Sequence, residues 1–315
     1  MQRHAVGARV ALERELTGFA RPHAPSVVHL HNAPQFVDAL RRSLPHAKLI
    51  LHMHNEKECR FAARVDALIG CSRYIEDWFR AGGIAADHFG TLPNGVDTAR
   101  FVPATPERRQ AIRARLGLPD HHFVVLYSGR ISPEKGPDLL ADACVGLDPA
   151  RFHWAVAGEW PQGDAATSQR VAYAESLLAK IRNLPLTLLG SRAPEAMVEV
   201  YQAADLLVIP SRFEEPFSMA AIEAMACGLP VLALAKGGMV EYMRDGENAR
   251  VLAAHATADE IADAIRAMAL DAGLLERLRH NGRALVVDRF DWRRVAAETE
   301  SLYDQLFSHD AVDRV

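Results

Sequence analysis

Residues 211–230 read SRFEEPFSMAAIEAMACGLP, and the fold and the chemistry of this chain are both decided there. The segment follows Ala204-Asp205-Leu206-Leu207-Val208-Ile209-Pro210, a short apolar run with the length and composition of a buried strand. Ser218 occupies an N-cap position, Ala and Met residues fill a helix after it, and Gly228 with Pro230 ends it. Met219, Ile222, Met225 and Ala226 form one apolar stripe on that helix. Glu223 lies at the edge of the stripe, with no Lys or Arg three or four places away. A carboxylate beside a core is costly unless donors satisfy it, and ligand hydroxyls are one source of donors. Glu215 stands just ahead of the helix, beside the open N–H groups of its first turn, which favour an anion. The same residues also fit a surface Glu-Glu turn and a solvated helical Glu.

Strand and helix patterns alternate on both sides of this stretch. After it comes a strand at 231–234, and before it strands at 123–127, 152–157, 186–189 and 206–209. Helices separate them at 137–147, 168–182, 194–203 and 218–227. Such alternation predicts a doubly wound parallel sheet, which binds ligands at the carboxyl ends of its strands. Earlier in the chain, strands are expected at 26–31, 48–54 and 67–70, with helices at 5–20, 36–44 and 72–79. Pro93-Asn94-Gly95 is turn chemistry, and residues 98–106 follow neither period, so they read as a linker. Thr257 and Glu260 make a capping box opening a helical region that reaches Phe307, with breaks expected at Gly282 and Asp291.

With 315 residues the chain has room for two domains, and its net charge of −4 gives no nucleic-acid signature. No uncharged apolar run approaches a membrane span, and the N-terminus lacks the apolar centre of a secretory signal. Cys59, Cys71, Cys144 and Cys227 have no metal-like spacing, which places the chain in a reduced cytoplasm.

Gly129-Arg130-Ile131-Ser132-Pro133-Glu134-Lys135-Gly136 leaves the first strand of the second half at its carboxyl end. Its two cations and flexible glycines suit a diphosphate, although it is neither a P-loop nor a dinucleotide turn. Two His-x-His pairs, His29/His31 and His52/His54, each share a strand face, but no Asp, Glu or Cys stands at ligand spacing. They read as buried or loop-end histidines without a metal. Trp154 and Trp160 read as core or rim, and Arg108 to Arg115 as a solvated helix face. Lys236-Gly237-Gly238 follows a strand, where it can touch a ligand.

Four motifs in order, YSGRISPEKG (127–136), ADLLVIPS (204–211), EPFSMAAIEAMACGLPV (215–231) and LPNGVDTARF (92–101), resemble the family 4 retaining glycosyltransferases of the GT-B fold. The spacing of Glu215 and Glu223 is that family's signature. The resemblance implies an α/β fold of two Rossmann-like domains facing a cleft, with residues 1–103 on the acceptor side. Residues 104–290 would bind the nucleotide sugar, and 291–315 would form a helix crossing back near Trp292. It implies that Arg130, Lys135 and Gly129 hold the donor diphosphate and that Glu223 holds the ribose. Glu215 would contact donor-sugar hydroxyls, with Pro216 and the N–H groups of Phe217, Ser218 and Met219 completing the pocket. His54 would reach the donor sugar from the first domain.

The chain departs from the family in two ways. The N-terminal domain reads as truncated, lacking the usual first strand, Gly-Gly loop and helix, and Ser218 stands where the family mostly has Gly. The implied reaction moves a sugar from a UDP- or GDP-linked donor to a hydroxyl of a glycan or lipid-linked acceptor, in polysaccharide or surface-glycan synthesis. It proceeds with retention and without cofactor or metal. The setting is cytoplasmic, with peripheral contact at the cytoplasmic membrane face as a secondary expectation and no nucleic-acid partner. Two rival readings are a donor-binding but inactive partner protein and a metal-dependent hydrolase built on the His-x-His pairs.

Overall fold

The structure is a computed structural model describing residues 15, 18, 25–59, 61–161 and 168–312, with side chains to 308. Of the helix expected over 5–20, only positions 15 and 18 are among the described residues, both helical; the rest lies outside them. The chain divides into two compact units, Met1–Asn94 with Val295–Val315, and Gly95–Arg294.

The first unit holds a four-stranded parallel sheet in the order β1-β2-β3-β4, from β1 (Val27–His31), β2 (Lys48–Met53), β3 (Val65–Gly70) and β4 (Ala86–Thr91). Leu49, Ile50 and Leu51 in β2 and Ala67 and Leu68 in β3 have no exposure, as central strands of a sheet covered on both faces require. Between strands run α1 (Val37–Ser43) and α2 (Arg73–Ala81), and Ser72 caps α2 by accepting from Ile75 N at 3.3 Å. Strand β4 escapes the sequence reading because ADHFGT carries only one large apolar residue; it is an edge strand, half-covered throughout. A long helix, Trp292–Val312, belongs to this unit from Val295 onward. Its Val295, Leu302 and Leu306 enter one cluster with Ile50, Ala67, Ile69 and Leu92.

The second unit begins at Gly95, ahead of the 103/104 boundary read from sequence. Val96 N donates to Phe290 O at 2.8 Å, Trp292 N donates to Val96 O at 3.1 Å, and Phe101 is buried. The stretch read as a linker is thus bound down, and only 102–105 lack regular structure before α3 (Pro106–Leu116). Six parallel strands follow in the order β10-β9-β8-β5-β6-β7. They are β5 (Phe123–Ser128), β6 (Phe152–Ala157), β7 (Leu186–Gly190), β8 (Leu206–Ile209), β9 (Val231–Leu234) and β10 (Arg250–Leu252). The connecting helices are α4 (Pro137–Val145), α5 (Ser168–Ile181), α6 (Pro194–Ala203) and α7 (Met219–Ala226), then α8 (Ala258–Leu270) and α9 (Ala272–Arg289). With Trp292–Val312 as α10, chain order is complete. The chain winds outward from β5 through β6 to β7, then returns to β8 on the other side of β5. The order therefore reverses between β5 and β8, and a doubly wound sheet opens its ligand crevice beyond the carboxyl ends at such a point.

Two sequence expectations are corrected here. Gly282 does not break the helical region: it lies inside α9, where a Cβ would sit 3.3 Å from both Asn248 O and Met225 Cγ, so the glycine serves close packing. A break falls at Asp291, as expected, and another at Asp271, whose side chain accepts from Leu274 N at 2.8 Å. The arginines of α3 are not one solvated face. Arg113 is 5% exposed, pairs with Asp205 at 2.5 Å and donates to the carbonyls of Ala203, Pro119, Asp120 and His122. Thr257 and Glu260 do form the capping box expected of them.

Candidate active site

Two loops start at the reversal point, one after β5 and one after β8, and they bind each other. Arg212 N donates to Glu134 O at 2.8 Å, and a Cβ on Gly136 would lie 2.2 Å from Pro210 O. Gly136 adopts φ +68°, so neither the space nor the backbone admits another residue there. The loop after β5 is pinned from within, because the buried Tyr127 donates its hydroxyl to Arg130 O at 2.6 Å. Gly129 N is held by Ala157 O at 3.0 Å.

Across this junction Lys135 Nζ reaches Glu215 Oε1 at 2.7 Å, and Ser211 Oγ donates to the same oxygen at 2.6 Å. Glu215 is 4% exposed, and a carboxylate so deep is tolerable because a cation and a hydroxyl satisfy it together. Its backbone is equally constrained: Gly238 N donates to Glu215 O at 2.7 Å, and a Cβ on Gly237 would fall 2.4 Å from that oxygen. Lys236 takes a different part from the ligand contact read in the sequence. It is 6% exposed and pairs with Glu214 at 3.2 Å, while Gly237 N donates to Glu214 Oε2 at 2.6 Å. The segment after β9 thus clamps the Glu214-Glu215 backbone.

Pro216 and Phe217 lead from Glu215 into α7, and Phe217 is buried against Tyr242 and Phe290. Ser218 holds φ +72° and ψ +93°, a backbone that L side chains rarely adopt, and its hydroxyl caps nothing. The N-cap expected there is therefore formed in place but not in function, since the turned backbone carries the side chain away from the first-turn N–H groups. Met219, placed on the apolar stripe by its spacing, is 38% exposed at the helix start, whereas Ile222, Met225 and Ala226 are buried. The N–H groups of the first turn of α7 have no partner within the helix, as at every helix start. At the other end Arg283 donates to Ala226 O and to Phe101 O at 3.0 Å, placing a cation where the helix dipole is negative.

Glu223 receives a hydrogen bond from Tyr201 OH at 2.9 Å, and Ser128 Oγ lies 3.4 Å from the same hydroxyl. Burial raises the Glu223 carboxyl above its usual value, with the Tyr201 hydrogen bond pulling partly the other way. Tyr201 is the donor that sequence reasoning missed; it lies at the end of α6, and no local spacing links it to Glu223. Ser211 was within the deciding stretch but unremarked, four residues ahead of the carboxylate it serves.

Arg130 is not drawn into this network. Its side chain is 54% exposed, with Glu134 at 3.9 Å as its carboxylate neighbour. A cavity of about 640 Å³ opens elsewhere, lined by Arg109, Arg113, Phe123, Phe152 and Asp205 near the amino ends of β5 and β6. Arg109 and Arg113 are both engaged there by Asp205.

His54 lies in the first unit, where its backbone N–H donates to Asn32 Oδ1 at 2.8 Å and Asn94 bonds its ring. The register pairs His31 with His52 across β1 and β2, so all four His-x-His rings share one sheet face. Neighbouring rings stand 4.3–5.4 Å apart. One nitrogen from each of His29, His31 and His52 falls within 4.8 Å of the others, and these three could hold a metal. That grouping comes from cross-strand register and is invisible to spacing along one segment.

The family model described as glycosyl transferases group 1 matches residues 108–285, and the one described as glycosyltransferase family 4 matches residues 3–100. A D-inositol 3-phosphate glycosyltransferase of Streptomyces bingchenggensis is 36% identical over 260 residues, covering 77% of this chain and 55% of that protein. Its namesake from Nocardia farcinica is 37% identical over 220 residues, covering 68% and 47%. The chain therefore spans about half the length of the curated relatives it matches. Among solved structures, Anabaena Alr3699/HepE in complex with UDP and glucose superposes with TM-score 0.80 at 23% identity, over 95% of this chain and 81% of that one. Sucrose-phosphate synthase of Thermosynechococcus elongatus gives 0.81 at 24%, over 95% and 78%. These likenesses establish the α/β fold with parallel sheets that GT-B glycosyltransferases share. With one family model matched across more than half of its residues, this chain belongs to the glycosyl transferases group 1 family.

Proposed function

We propose that this protein transfers a sugar from a nucleoside-diphosphate donor to an acceptor hydroxyl, with retention at the anomeric carbon. The observation that carries the reading is the Lys135–Glu215 pair, 2.7 Å apart, where the β5 and β8 loops meet three residues ahead of Ser218 and α7. In such a transfer negative charge develops on the departing diphosphate, so donors fixed in advance stabilise the transition state. Lys135 bridges Glu215 and the diphosphate, while the first-turn N–H groups after Phe217, Ser218 and Met219 face it from the helix end. Arg130, on its long exposed side chain, folds onto the phosphates when the donor arrives, beside the close backbone approach that Gly129 allows.

Glu223, seated on Tyr201, accepts from the ribose hydroxyls, and Glu215 accepts from the sugar hydroxyls through its second oxygen. This reading routes no step through a metal or cofactor. Glu215 is not a nucleophile here, since its carboxylate is already held by a lysine and a serine; attack comes from the face the diphosphate leaves. The HepE complexes make UDP-glucose the first donor to assay, and the relatives make D-inositol 3-phosphate the first acceptor, beside glycan and lipid-linked hydroxyls. We place the product in surface-glycan or polysaccharide synthesis on the cytoplasmic side. Among the described residues no helix is long and apolar enough to cross a membrane.

The test has two parts. Thermal-shift screening of UDP- and GDP-sugars identifies the donor, because a ligand bound only by the folded state raises Tm. Turnover with that donor is then compared with Arg130→Ala, which should lose on the order of 10²–10³ in kcat. Full turnover by the variant would refute the diphosphate assignment. Donor binding with no turnover across the acceptor panel would instead identify an inactive donor-binding partner.

A further inference from the structure

The four histidines of β1 and β2 hold a feature that the transfer reading does not use. His52 is 97% buried, being 3% exposed. Its Nε2 lies 3.1 Å from the carbonyl of Leu92, which can only accept, so Nε2 carries the proton. Nδ1 of the same ring then bears a lone pair, and it has no partner. His29 Nδ1 sits 2.8 Å from Tyr303 OH, and its buried Nε2 has no partner among the described residues. Leaving such nitrogens unpaired inside a protein costs the desolvation of each without a compensating bond. The sheet could have buried apolar side chains at these places, as it does at Ile50 and Ile69.

We propose that His29, His31 and His52 bind one imidazole-preferring divalent transition ion of the zinc class, with the fourth position open on the exposed His31 side. Three neutral imidazoles with a fourth site left to water match the ligand set of an open zinc centre. Bonds of about 2.0–2.1 Å require nitrogens about 3.4 Å apart, so the three rings, with nitrogens now within 4.8 Å and His29 stacked on the other two, must turn to aim their lone pairs at one ion. The Leu92 carbonyl and the Tyr303 hydroxyl are the outer partners that fix ring orientation and tautomer, as second-shell groups do at metal-ligating histidines. His54 is left out of the ligand set because its Nε2 is engaged with His31 Nδ1 at 3.0 Å. The presence of the ion does not depend on the transfer reading.

The full-length chain, stripped with EDTA, is titrated with zinc by calorimetry and with cobalt by absorption. We expect one ion per chain at a Kd of about 1 µM or tighter, and the visible bands of near-tetrahedral cobalt. His31→Gln, at an exposed position that leaves folding intact, should weaken binding on the order of 100-fold or more. His29→Gln and His52→Gln should do the same, and Tyr303→Phe should cost roughly 10–100-fold through the lost outer partner. His255→Gln and His280→Gln, at exposed histidines elsewhere, should change nothing. Zinc binding weaker than about 100 µM in the unmodified chain, an absence of cobalt bands, or unchanged affinity in His31→Gln would each overturn the site.

Discussion

Glu223 is a carboxylate whose environment penalises its charge, and the protein keeps it nonetheless. Its folded pKa lies above the usual 4.5, chiefly through burial. The native state therefore holds that proton more tightly than the unfolded chain does. The stability this contributes is fully present below about pH 4.5 and is lost as pH rises through the raised folded value. Glu223→Gln keeps an acceptor for Tyr201 and removes the penalty. It should be more stable than the parent by about 1 kcal/mol at pH 7–8, with the difference shrinking toward pH 4.5, in denaturant melts across that range. The same change should weaken donor binding by roughly 10–100-fold, since a charged acceptor for the ribose becomes a neutral one. A variant with unchanged stability at every pH would show that burial does not strain this group. Ser218 is strained for another reason, its positive φ, and Ser218→Gly should raise stability by about 1 kcal/mol in the same melts. Glu223 could be picked from the sequence because its helix carries no cation near it, and Glu215 because it stands just ahead of that helix. Tyr201, Ser211 and the orphaned histidine nitrogens could not, because their meaning lies in what the fold brings alongside.

At the scale of elements, the alternation of apolar strands with helices was readable because every central strand here is covered on both faces. Strand β4 and strand β10 were not, since partly covered edge strands need no apolar run to hold their place. The strand order was also beyond reach: periodicity says nothing about whether β8 returns beside β5, yet that return creates the junction of the two site loops. The junction is then braced by a third segment, Lys236 to Gly238 after β9, whose role depends on a glycine at φ +52°. Gly237→Ala would put a Cβ 2.4 Å from Glu215 O and 2.8 Å from Glu215 N, both backbone atoms that cannot rotate away. We expect a loss of roughly 2–4 kcal/mol in stability and no measurable donor binding in the protein that remains folded, read by denaturant melts and ligand titration. Unchanged donor affinity would mean that the Glu214-Glu215 backbone has room the geometry denies.

For the whole molecule, stability is divided between two units with different supports. The second is braced at one end of its sheet by Arg113 and Arg109 on Asp205, which also accepts from Val124 N at 2.7 Å. Removing the buried partner takes one of two cations from that carboxylate and a donor from four carbonyls, so Arg113→Ala should cost roughly 1–3 kcal/mol in denaturant melts. The first unit takes part of its core from the far end of the chain. Val295, Leu302 and Leu306 of α10 pack with Ile50, Ala67, Ile69 and Leu92, and all three helix residues are nine-tenths or more buried. At about 1.5–3 kcal/mol for each buried side chain, they supply roughly 5–9 kcal/mol, comparable with the net stability of a whole domain. A chain ending after Arg294 should therefore lose amide protection in β2 and β3 while β5 and β8 keep theirs, followed by hydrogen exchange. The exposed apolar face should also bind a hydrophobic dye. Retained protection in β2 and β3 would show that the four-stranded sheet stands without α10, and that the last helix has a task other than completing its core.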